Sequence, residues 1–209
     1  MRRMVLLVVG VLAFSTVAMA QAGQGQMGQM GRGQMGQMPP AQAAAAAQPD
    51  NIATPLLALP ENVRADAGVV KWKADFTYDT LKESKNNLVC YDRSGFPGQA
   101  KFSVECTAMG NLPREAQNLK AEAEAQGDKA KSEATLNAQE KDGTRVKPEY
   151  GSIWYHLAGA DREHARPHMT IAMPGATAQS TGLPDKRVNN GIWIMNAGTT
   201  TAHIMVPGE

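Results

Sequence analysis

Hydrophobic and polar residues alternate with period two through several separate runs of this chain, the pattern of strands that bury one face. The longest run places Val70, Trp72, Ala74, Phe76 and Tyr78 on one side and Lys71, Lys73, Asp75, Thr77 and Asp79 on the other, predicting one long half-buried strand. Leu88 to Asp92 and Lys101 to Thr107 predict two more, divided by a polar turn at 82–87 and a Gly/Pro loop at 93–99. Together they predict an antiparallel meander. Its apolar face collects the Val70 to Tyr78 set with Leu88, Cys90, Phe102, Val104 and Cys106. If the second hairpin pairs residues whose numbers sum to 196, Cys90 lies opposite Cys106, within reach of a disulfide.

The stretch Gly151 to Pro174 repeats the pattern in a hairpin. Ile153, Tyr155 and Leu157 alternate with Trp154, His156 and Ala158; after a charged loop, Met169, Ile171 and Met173 alternate with His168, Thr170 and Ala172. Numbers summing to 324 set Ile153 against Ile171 and Tyr155 against Met169 on the apolar, core face. His156 then opposes His168 on a second, polar and aromatic face with Trp154 and Thr170. Two closing strands, 191–196 and 202–206, flank a Gly-Thr-Thr-Thr turn. In a register summing to 398 both of their faces are apolar, which predicts a central or covered hairpin.

Helical patterning is confined to two places. Pro55 to Ala67 predicts a short helix beginning at Pro60 and stopped by Gly68. From Gly110 to Asp142 the composition is Ala, Glu, Lys and Gln, with only a thin stripe of Leu119, Ala123, Ala130, Ala134 and Ala138. This predicts one long polar helix, largely solvated and broken, if anywhere, near Gly127 and Asp128. Gly175 to Asn190 is rich in turn formers and predicts a loop. The expected fold over residues 51–209 is a single α+β domain with a mainly antiparallel sheet, a disulfide-linked meander and one long polar helix.

The N-terminal 50 residues do not belong to that pattern. Arg2 and Arg3, an apolar run from Met4 to Val17 and Ala18-Met19-Ala20 predict a secretory signal peptide over residues 1–20. Residues 21–50 carry four Gly-Gln-Met units followed by an Ala/Gln run, a composition too poor in bulky apolar groups to offset its ordering entropy, and so predict a disordered tether. No later apolar stretch is long enough to span a bilayer. The expected location is therefore exported, in the periplasm or secreted. There, Cys90 and Cys106, the chain's two cysteines, are expected to be paired. Losing Arg2 and Arg3 takes 21 basic residues to 19 against 20 acidic, a net charge of −1 that points to no nucleic-acid or anionic-lipid partner.

Motifs for chemistry are few. There is no Gly-x-Ser-x-Gly or Ser-x-x-Lys, and the glycines between Gly23 and Gly36 have neither the strand nor the helix that a nucleotide fingerprint requires. The four histidines are the remaining constellation. Imidazole suits zinc and copper, so His156, His164, His168 and His203 form a candidate metal set. The competing reading has each ring hydrogen-bonded in a loop or on a sheet face. His164-x-x-x-His168 marks a metal site chiefly on a helix, and Pro167 opposes one. Met27, Met30, Met35 and Met38 place thioethers that could take Cu(I), against a plain low-complexity linker.

The segments LALPENVRADAGVVKW, MPGATAQSTGLP and, most specifically, NAGTTTAHIMVPG resemble those of a group of secreted bacterial proteins of unknown function, over roughly Leu57 to Gly208. The resemblance implies a single compact envelope domain and carries no catalytic residue or cofactor. The leading expectation is a non-enzymatic protein binding a small ligand or partner through Trp154, His156, His168 and Thr170. The alternatives are a His-ligated metalloprotein, in one form a hydrolase, and copper handling by the Met-rich tether.

Overall fold

In a computed structural model, residues 51–189 and 191–208 are described; the expected signal peptide and tether, with their methionines, lie outside these residues. Eight strands form one sheet: β1 (Gly68–Trp72), β2 (Tyr78–Lys82), β3 (Leu88–Asp92), β4 (Phe102–Ala108), β5 (Ile153–Gly159), β6 (Arg166–Ala172), β7 (Trp193–Met195) and β8 (His203–Pro207). Their spatial order is β2-β1-β3-β4-β5-β6-β8-β7. All neighbours are antiparallel except β1 and β3. With the helices, this makes the fold α+β. Among the described residues no helix is long and apolar enough to cross a membrane.

The nine-residue strand expected over Val70 to Tyr78 is a hairpin instead. The Asp75 carboxylate accepts from the Thr77 N–H and hydroxyl at 3.0 and 2.6 Å, while the Lys73 N–H donates to Thr77 O at 2.8 Å. A short acidic side chain thus captures the backbone that a ladder would have used. Trp72 and Tyr78 consequently face each other across the hairpin, with ring centroids 5.4 Å apart in an edge contact.

The predicted meander is corrected as well, because β3 returns on the far side of β1 and runs parallel to it. Val70 and Trp72 then pack with Val89, Tyr91, Leu112 and Leu119, whereas Cys90 and Cys106 pack with Leu59 and Ala67. The sheet buries both faces at this end rather than one. Cys90 does lie opposite Cys106, with the Cα atoms 4.0 Å apart and the disulfide formed.

The Ala/Glu-rich segment is two helices, α2 (Leu112–Glu124) and α3 (Lys129–Asp142), after a single-turn α1 (Glu61–Arg64). The chain reverses at Gln126 and Gly127, both left-handed, and Asp128 caps α3 by accepting from the Lys131 N–H at 3.2 Å. Gly127 is required twice over: its φ is 79°, and a Cβ there would lie 2.6 Å from Gly98 N. One long solvated helix was expected, yet α2 buries Leu112, Arg114, Glu115, Leu119 and Ala121; only α3 is mostly exposed. The apolar stripe understated the contact because two of the buried residues are charged.

At the other end, β8 lies between β6 and β7, and β7 is an edge strand. The closing hairpin keeps its expected pairing, Ile194 with Ile204 and Trp193 with Met205. It is covered only in part. Ile194 is buried with Ala176 and Ala202, while Ile192 and Met195 are 46% and 39% exposed. The loop after β6 contains a one-turn helix, α4 (Ala178–Thr181), fixed by reciprocal Thr177 and Ser180 hydrogen bonds.

Candidate functional site

The central hairpin, β5 with β6, has the register that the alternation predicted, with His156 opposite His168. Their rings are stacked, centroids 4.3 Å apart and planes 6° from parallel. The same row continues across the sheet as Tyr91, Glu105, His156 and His168, each opposite the next. This row lies on the face that α2 covers. The expectation that the hairpin's core would be Ile153, Tyr155 and Leu157 holds only in part: those three are half-buried, with Tyr155 packed against the Cys90–Cys106 cluster, whereas Trp154 on the other face is 8% exposed.

Arg93, two residues beyond Tyr91 on the same side, is the hub of this row. Its Nη1 lies 2.8 Å from Glu105 Oε1 and 3.2 Å from Glu115 Oε1, and Nη2 lies 2.5 Å from Glu122 Oε2. Glu105 also accepts from the Tyr91 hydroxyl at 3.3 Å and from His156 Nδ1 at 3.1 Å. Burial pushes the Glu105 carboxyl up, but Arg93 and His156 outweigh it and hold it at about 2. Glu115 goes the other way, to about 7, because its burial exceeds what its share of Arg93 returns. Its Oε1 has no hydrogen-bond donor, and Oε2 accepts from Asn118 Nδ2 at 2.7 Å.

Beside this network opens a cleft of about 560 Å³ between the sheet and the two helices. Trp154, His156, His168 and Thr170 line its sheet wall, joined by Met205 and His203. Leu136 and Asn137 of α3 form the opposite side, and Arg114 of α2 and Arg145 lie between. Asn111 positions the segment that carries Arg145: it donates to Thr107 and Ser152 at 2.9 Å and accepts from the Glu149 N–H at 2.9 Å. The Val146 N–H donates to Gln117 Oε1 on α2 at 2.9 Å. Glu140 of α3 reaches across to Thr200, accepting from its N–H at 3.1 Å, and so holds α3 over the β7–β8 turn.

The four expected metal-ligating histidines do not share one place. His156, His168 and His203 line the cleft; His164 is in the exposed β5–β6 loop, with Nδ1 2.7 Å from Asp161 Oδ1, and does not. Among the described residues no group of three or more His, Cys, Asp or Glu is placed to hold a metal ion. The geometry gives the reason. Imidazole lone pairs lie in the ring plane, so two parallel stacked rings cannot aim them at one ion. His203 Nδ1 is also engaged, donating to Thr201 O at 2.8 Å. Burial, with His156 alongside, lowers the His168 ring to about 4, and burial lowers His203, so these two rings resist protonation.

Sequence reasoning missed Arg93, Glu105, Glu115, Arg114 and Arg145. One signal for the first pair was present: the register that joins Cys90 to Cys106 also sets Tyr91 opposite Glu105, a charged residue within an otherwise uncharged strand. Comparisons with protein-family models, curated proteins and solved structures match nothing to this chain.

Proposed function

We propose that this is an exported, non-enzymatic protein that binds a small ligand in the cleft between the sheet and α2–α3. One observation carries the reading: Trp154, His156, His168 and Thr170, which share a face of the central hairpin, line a hollow of about 560 Å³. Small-molecule sites run from roughly 300 to 1,000 Å³ and combine apolar walls with a few polar groups, as Trp154, Leu136 and Met205 do here with the histidines and Asn137. Binding fits better than catalysis because Glu105 and His156 are already tied into the Arg93 network. The disulfide and the signal-peptide pattern of residues 1–20 support export.

A small-molecule fragment library screened by NMR tests this. Ligands should shift the His156 and His168 ring signals and the Trp154 indole signal, and Thr170→Phe, which fills the cleft, should abolish those shifts. Ligands that leave the three signals unmoved, or bind Thr170→Phe equally well, would place the site elsewhere.

A further inference from the structure

Three arginines border the cleft, and their surroundings differ. Arg93 faces three carboxylates within ion-pair distance. Arg114 and Arg145, only 8% and 7% exposed, have none within 4.0 Å among the described residues. Their protein partners are neutral. Arg114 Nη1 donates to Val146 O at 2.5 Å, and Arg145 donates to Arg114 O at 3.3 Å, to Gln117 Oε1 at 3.0 Å and to Asn118 Oδ1. Arg145 Nε is buried with no acceptor, and among the described residues Arg114 makes no side-chain hydrogen bond beyond that to Val146 O. The other cleft carboxylates are committed elsewhere: Glu105 and Glu115 to Arg93, and Glu133 to Lys129. Glu140 spends Oε1 on Thr200, and although its field reaches both arginines it pairs with neither.

A buried guanidinium with no carboxylate in contact is costly, and its fork of donors matches carboxylate and phosphate oxygens. We infer that the cleft takes a small organic anion, its acidic head held by Arg114 and Arg145 and its apolar body laid along Trp154, Leu136 and Met205. This rests on the ligand-binding reading above and narrows it to a chemical class. His168 and His203, whose rings burial keeps from protonating, contribute donors or acceptors without adding charge, so the arginines set the sign of the ligand.

Calorimetric titration of the intact protein with benzoate, phenyl phosphate and the neutral isostere benzamide tests the inference, with the His156 and His168 ring signals reporting the site. Benzoate or phenyl phosphate should bind at least about tenfold more tightly than benzamide, since charge-assisted hydrogen bonds in a desolvated site are worth that much. Which of the two is preferred separates a carboxylate from a phosphate ligand. Arg114→Gln and Arg145→Gln should erase the preference, while Arg114→Lys and Arg145→Lys, which keep the charge, retain part of it in a folded protein. Benzamide binding as tightly as the anions, with the same ring signals moving, overturns the anion inference and leaves the ligand-binding reading standing. Anions that bind without moving those signals, or equally well to both Gln variants, overturn it too. If no probe binds, the anion inference fails, and the fragment screen alone decides the broader reading.

Discussion

Glu115→Gln isolates the most unusual charge in the core. Glu115 is 1% exposed, and its carboxyl titrates at about 7 against an ordinary 4.5, chiefly through burial. Between these two values the folded state keeps the proton and the unfolded state has lost it. Stability from this group is therefore fully present below about pH 4.5 and falls until pH reaches about 7. At about 1.4 kcal/mol per pH unit the whole fall is ~3 kcal/mol. Glutamine keeps the shape, can still accept from Asn118, and never ionises, so the variant escapes that loss. Urea unfolding of both oxidised proteins should find them within about 1 kcal/mol of each other near pH 4.5 and the variant ahead by ~3 kcal/mol near pH 8. Half-buried His168 slopes the opposite way in both proteins and cancels from the difference. A difference that stays constant across this range, or shrinks as pH rises, would show that Glu115 is ionised throughout, and the account of the Arg93 network would fail.

Gly127→Ala should destabilise by more than the ~1–2 kcal/mol of a left-handed residue, because its Cβ would also meet Gly98 N. Gly143→Ala, with a φ of 77° and no atom within 4 Å, should lose only the conformational part; equal shifts in melting temperature would refute the close approach. In an NMR titration the His168 ring should protonate at about 4, and Glu115→Gln, which lacks the opposing Glu115 slope, should lose stability as pH falls below the ordinary value of 6.5, since protonation favours the unfolded chain. A ring titrating at 6.5 would mean that the cleft is wet and open where the structure buries it.

Pairings between neighbouring strands were legible because a period-two pattern permits few registers and a short loop closes each hairpin. Cys90 with Cys106, His156 with His168 and Ile194 with Ile204 all follow from that rule. What failed was either finer or longer in range. Asp75 breaks the first strand through two hydrogen bonds that alternation does not encode. The parallel pairing of β1 with β3 and the contact of β4 with β5 across both helices join segments whose adjacency no local pattern specifies. Which face of the hairpin is covered depends on where α2 lands, and α2 buries Arg114 and Glu115 alongside its Leu residues.

That choice of buried residues bears on why the cleft exists. A buried ion cluster such as Arg93 with its glutamates seldom stabilises more than apolar side chains of the same volume would, although removing a charged member such as Arg93 or Glu105 costs about 3–5 kcal/mol. It does fix geometry, holding Glu105 and His156 in one row and α2 against the sheet. Among the described residues Arg114 and Arg145 have no carboxylate in ion-pair contact, only the field of Glu140 and Glu115, and both line the cavity beside α2. Packing needs alone would place leucines there. The charge that no carboxylate contacts lies where a ligand could neutralise it, so binding should raise stability by the logarithm of ligand concentration over its dissociation constant, and the free protein carries the cost until then.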